Sequence, residues 1–321
     1  MLQTLLAALV LAAPAKGTVR TDSLWSSALG VTKHYVVYLP PSYATDTARR
    51  YPVAYYLHGY SGNETDWTRL GHLDAAMDSL IAAGGPEMIV VMPDGDNSWY
   101  TTWNTLGDNA ECRRDTTRRE PAATFCVPWP HYDDYIASDL VHHVDSVYRT
   151  RADRAHRAIA GLSMGGYGAI ELALQYPDVW RAAASHSGTV QFMYAGPHPF
   201  GGADVYAASM HDLQRRDADY WPSLEKAFGH DLAGWRARDP LTRLERLRAA
   251  HPAMVPALYL DVGRDDPFVD QNRAFVHSLD SLHVAHTYAE YPGGHSWAYW
   301  SAHVGQSLAW IGNQIVGGSA R

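Results

Sequence analysis

The residues best placed to do chemistry are a serine, an aspartate and a histidine, each falling just past an apolar run. Gly161-Leu162-Ser163-Met164-Gly165 matches G-x-S-x-G. It lies between the strand-like Ala158-Ile159-Ala160 and the helix-forming stretch 169–174, so the glycines allow a tight turn that lifts Ser163 above a sheet. A serine hydroxyl is a weak nucleophile unless a base takes its proton and a carboxylate holds that base in one tautomer. His295, preceded by Gly293-Gly294, is the candidate base. Asp265 and Asp266 compete for the carboxylate role, with Asp261 inside the preceding strand a third choice. An acyl group carried on Ser163 would pass through an oxyanion. The peptide N–H groups of Met164 and Tyr60 are its natural donors, worth roughly 3 kcal/mol each.

These residues need a rigid frame, and the pattern supplies one. Apolar and β-branched runs predict strands over 34–39, 51–57, 88–92, 158–160, 181–185, 257–262 and 285–291. Helical spacing predicts helices over 73–83, 135–148, 169–174, 241–250 and 270–282, with another at the C-terminus. Such alternation implies an α/β fold, a mostly parallel central sheet with helices on both faces. Residues 190–240, rich in aromatics, proline and glycine, break the alternation and predict a lid-like insertion over the site. No repeat is apparent.

The chain has 321 residues, 46% of them hydrophobic, with a formal net charge of −8 and a pI near 6.1. No basic block tracks phosphates, so nucleic acid is not an expected partner. Residues 2–13 form an apolar run ending in Ala13-Pro14-Ala15. It is too short to span a bilayer and predicts a signal peptide over 1–15, a single domain over 16–321 and a secreted or periplasmic protein, although no Lys or Arg precedes the run. In that setting Cys112 and Cys126 are expected to form a disulfide, stabilising by roughly 3 kcal/mol.

No metal site is expected. His142-His143 cannot both face one ion from a helix, and the acidic loop 94–97 lacks a complete ligand set. His58 reads as a structural loop residue. Trp99, Tyr100, Trp103 and Trp297 are the candidate aromatic contacts for substrate.

Tyr-Pro-Val-Ala-Tyr-Tyr-Leu-His-Gly at 51–59, Gly-Leu-Ser-Met-Gly-Gly-Tyr-Gly-Ala at 161–169 and Gly-Gly-His-Ser-Trp at 293–297 resemble the esterase D family. That family includes feruloyl and acetylxylan esterases, S-formylglutathione hydrolases and mycolyltransferases. The resemblance covers roughly residues 30–315 and implies an α/β-hydrolase fold. It selects Asp266 as the acid, three residues after Gly263, and Tyr60 as the second oxyanion donor. It implies a serine carboxylic-ester hydrolase with triad Ser163, Asp266 and His295, no cofactor, and a small-molecule or carbohydrate-linked ester as substrate, feruloyl- or acetyl-type. The alternative it carries is an acyltransferase resembling the mycolyltransferases, with a sugar hydroxyl in place of water. The cysteine-bearing segment and 190–240 depart from the family pattern.

Overall fold

Strands that are apolar on both faces must be covered on both faces, and the molecule is built that way. A computed structural model describes residues 15–103, 109–114, 121–216 and 220–316. Its sheet contains β1 (Thr18–Ser26), β2 (Val31–Leu39), β3 (Val53–Leu57), β4 (Ile89–Pro93), β5 (Arg157–Leu162), β6 (Ala182–His186), β7 (Ala257–Gly263) and β8 (His286–Tyr291). The spatial order is β1-β2-β4-β3-β5-β6-β7-β8. The first two strands pair antiparallel, as do β2 and β4; the remaining neighbours run parallel. Parallel neighbours place their carboxyl ends on one edge, where loops can meet.

The pleat divides the core. Val53, Tyr55 and Leu57 of β3 join the apolar cluster on one face, whereas Ala54 and Tyr56 join the other. Helices α1 (Leu73–Ala82) and α6 (Trp297–Ile315) cover the second face through Leu73, Met77, Val304, Leu308 and Ile311. The first face is covered by α2 (Val141–Val147), α3 (Met164–Gln175), α4 (Pro240–Ala250) and α5 (Val269–Ser281). Asp239 caps α4 by accepting from Thr242 N, and Pro240 fills the first helical position.

Two differences from the sequence expectations stand out, and the first has a clear physical cause. The strand β1 was not foreseen, because it is an edge strand whose first five residues are exposed and carry no apolar alternation. The helix expected over 135–148 begins as a π-helix over Tyr135–Leu140 before becoming α2. Segment 190–240 includes the helices Met210–Arg216, Trp221–Phe228 and Leu232–Ala237. It is anchored by burial of Phe192, Leu224, Phe228 and Trp235 in the first-face core. The Cys112–Cys126 disulfide is formed. The expected signal segment falls almost wholly at residues 1–14, outside the described residues.

Candidate active site

The turn from β5 into α3 is closer than side chains would allow. A Cβ on Gly161 would collide with the backbone of Gly165, and one on Gly165 would sit 2.5 Å from the carbonyls of Leu57 and His58. Glycine at both positions lets the first turn of α3 rest on the end of β3. Ser163 pays for this with φ 53° and ψ −119°, a sparsely populated region for a residue with a side chain. Its amide is fixed by donation to the carbonyl of His186, at 2.9 Å.

The other two loops converge from β7 and β8. Arg264 N donates to Tyr291 O and Asp265 N to Gly293 O, so the loops after these strands are joined by backbone hydrogen bonds. Asp265 is exposed, whereas Asp266 is 2% exposed. One carboxylate oxygen of Asp266 accepts from Phe268 N at 2.8 Å, and Oδ2 lies 2.9 Å from His295 Nδ1. His295 Nε2 lies 2.9 Å from Ser163 Oγ. An ionised carboxylate only accepts, so Nδ1 carries the proton and Nε2 accepts from the serine hydroxyl. The imidazole is held edge-on by Phe268 and Trp300, with ring centroids 5.0 and 4.9 Å away. The arrangement can move a proton from Ser163 to His295 while Asp266 retains its charge.

Ser163 opens into a cleft of about 440 Å³. Tyr60, Trp99 and Tyr220 form one aromatic group on its lining, with Tyr60 packed 6.1 Å from Trp99 and 5.2 Å from Tyr220. Trp297 and Trp300 form another, with ring centroids 5.3 Å apart. Asn63, Asp66 and Arg69 supply the polar lining. The loop carrying Gly59 and Tyr60 runs against the nucleophile, since a Cβ on Gly59 would lie 3.4 Å from Ser163 Cβ. Met164 opens α3, where the first N–H groups have no acceptor within the helix.

Of the four aromatic candidates, Trp99 and Trp297 line the cleft. Tyr100 is fully buried, its hydroxyl donating to His58 O at 3.0 Å, and Trp103 packs on Tyr132. Two consecutive left-handed residues, Trp99 and Tyr100, turn the chain so that the neighbouring rings part company. His58 is structural in its contacts: Nδ1 meets Gly59 O and Nε2 accepts from Gly95 N. In the acidic loop, the Lys33 ammonium stands between Asp94 and Asp96, where a cation would have to sit.

Tyr220, Phe268 and Trp300 were not anticipated. Phe268 was signalled by standing two residues after the acid, and Trp300 by its three-residue spacing from Trp297 on one helix. Tyr220 was signalled only by region, as one of several aromatics in the insertion 190–240.

An eight-stranded, mostly parallel sheet with the serine on a strand-to-helix turn, and the aspartate and histidine on loops after later strands, defines the α/β-hydrolase fold. The chain belongs to the family described as "Putative esterase", which matches residues 26–311. It is similar to an esterase of Mycobacterium tuberculosis, 27% identical over 289 residues, covering 84% of this chain and 54% of that protein. The chain thus spans about half the length of the first curated relatives it matches. An acetyl esterase of Caldicellulosiruptor saccharolyticus is 24% identical over 258 residues, covering 80% of this chain and 82% of that one. Among solved structures, a ferulic acid esterase superposes with a TM-score of 0.67 at 25% identity, over 94% of this chain and 99% of that chain. Among the described residues, no helix is long and apolar enough to cross a membrane.

Proposed function

We propose that the protein is a serine carboxylic-ester hydrolase, with Ser163 as nucleophile, His295 as general base and acid, and Asp266 as the group that orients His295. The observation that carries this reading is the unbroken hydrogen-bonded series from Asp266 through His295 to Ser163, ending at the wall of the cleft. As Ser163 Oγ attacks the ester carbonyl, His295 Nε2 takes its proton; the oxyanion forms beside the N–H groups of Met164 and Tyr60. The protonated His295 then returns the proton to the departing alcohol. Water, deprotonated by the same nitrogen, attacks the acyl carbonyl, and His295 passes that proton to Ser163 Oγ as its bond to the acyl group breaks and the acid leaves.

The aromatic lining favours an ester with a flat or bulky group, and the polar stretch of Asn63, Asp66 and Arg69 favours a hydroxylated one. Feruloyl- and acetyl-type esters of sugars combine both demands, in keeping with the names of the acetyl and ferulic acid esterases to which the chain is similar. We read residues 16–321 as one domain in which segment 190–240 walls the cleft through Tyr220. The disulfide favours an exported protein.

A panel of acetyl, butyryl, long-chain and feruloyl esters compared by kcat/KM tests the reading. The expected outcome is highest turnover on acetyl or feruloyl esters. No hydrolysis of any of them by folded protein would overturn it.

A further inference from the structure

Beneath the site lies a second set of the same three residue types. Asp261 of β7, His186 of β6 and Ser307 of α6 are each 0% exposed. His186 Nε2 lies 2.7 Å from Ser307 Oγ, which is in turn 3.0 Å from the hydroxyl of Tyr56 on β3. His186 Nδ1 approaches Asp261 Oδ2 to 2.8 Å, out of line for a full hydrogen bond. The residues are ordered as in the open site, carboxylate beside Nδ1 and hydroxyl beside Nε2, but the Ser307 hydroxyl donates to the Val304 carbonyl at 3.0 Å, so its proton does not go to the histidine. No substrate can reach Ser307, and the proposed reaction uses none of these groups.

Their connections lead to the site nonetheless. The carbonyl of His186 receives the amide of Ser163, and the carbonyl of Asp261 receives the amide of Ser187 at 2.7 Å. The other oxygen of Asp261 receives the hydroxyl of Tyr299 at 3.0 Å. Tyr299 belongs to the first turn of α6, its amide bonded to Ser296, the residue after His295. Asp261 also precedes Asp266 by five residues on the strand that delivers it. The buried carboxylate thus meets the ring of His186, whose backbone carbonyl holds Ser163, and the hydroxyl of Tyr299, three residues after Ser296 on α6, from the strand that also delivers Asp266. Burial and the charge of Asp261 push the Tyr299 hydroxyl well above its ordinary pKa, so it remains a donor.

We infer that the buried His186–Asp261 pair is a positioning unit, which holds the backbone under Ser163 in register with the loop that presents His295. A hydrogen bond of 2.9 Å between Oγ and Nε2 is sensitive to small displacements, and a shift near 1 Å costs on the order of 100-fold in rate. A buried pair that fixes three loops against one another limits such shifts. The pair meets the cleft through the backbone of Leu162 and Ser163, so its loss is expected to fall on the placement of the nucleophile, and hence on kcat more than on KM.

This inference rests on the esterase reading, and its test separates the two. Asp261→Asn keeps the shape of the group and an acceptor for Tyr299 but removes the charge; Tyr299→Phe cuts only the tether to α6. Each is measured for kcat and KM on a short-chain ester, for the rate of labelling by a fluorophosphonate, and for Tm, with Ser163→Ala alongside. Asp261→Asn should lower kcat and labelling about 10- to 100-fold with KM within about threefold, and Tyr299→Phe should lower both about 3- to 10-fold. Values of kcat and labelling within twofold of the parent overturn the inference, even where Tm falls, because a purely structural pair moves only Tm. Should Asp261→Asn fail to fold, Tyr299→Phe decides by the same readouts. Activity in Ser163→Ala would instead overturn the esterase reading.

Discussion

Two serine–histidine–aspartate series occupy this molecule, and their difference in exposure separates their roles. His295 has 24% of its side chain exposed, and its serine opens on a cleft; His186 is 0% exposed, and its serine is enclosed by α6 and β3. Residue types and their spatial order are shared. What differs is where the strand ends: Ser163, Asp266 and His295 stand beyond the last residues of β5, β7 and β8, whereas His186 and Asp261 are still inside β6 and β7. A side chain within a covered sheet can only pack, while the next few residues reach the edge where ligands bind.

The largest break in this comparison comes from the open serine. Ser163→Ala should lower kcat by about 10⁴-fold or more with the fold intact by circular dichroism, whereas Ser307→Ala should leave an active enzyme. Next is the acid, where two adjacent aspartates differ in placement. Asp266→Asn should lower kcat about 10³- to 10⁴-fold by favouring the wrong histidine tautomer, and Asp265→Asn less than about tenfold, both on one ester at pH 8. The reverse ranking would move the acid by one residue.

A third carboxylate sharpens the contrast because it is buried without a histidine. Asp239, 3% exposed at the start of α4, accepts from the amide and hydroxyl of Thr242. Burial pushes its pKa up to about 6, above the ordinary value near 3.9. The folded state therefore binds this proton more tightly than the unfolded chain. The associated stability is complete below about pH 4 and is lost as pH rises through 6. Asparagine caps equally well and never ionises. Asp239→Asn should consequently gain on the order of 2 kcal/mol over the parent at pH 8 relative to pH 4, measured by denaturant unfolding at both. Equal gains at both pH values would show that Asp239 is not held protonated.

Much of the frame was legible because buried parallel strands are short and mostly apolar. The predicted strand over 257–262 and helix over 270–282 match β7 and α5 to within a residue at each end. The elbow was legible because its glycines are demanded by contact with the end of β3. Edge strand β1 was not, since an exposed face imposes no pattern. Nor was the buried series: His186 and Asp261 are 75 residues apart in the chain, and only the pairing of β6 with β7, which sets them side by side, reveals them. Trp99 and Tyr100 are chemically alike, and the backbone alone sends one to the cleft and the other inward.

The left-handed backbone of Ser163 has a consequence for how this protein tolerates change. Holding a side chain at φ 53° costs on the order of 1–3 kcal/mol, and glycine escapes most of that cost. Ser163→Gly should therefore raise Tm while abolishing turnover. The working protein would then be less durable than its own inert variant, and a screen for heat resistance alone would select against the nucleophile.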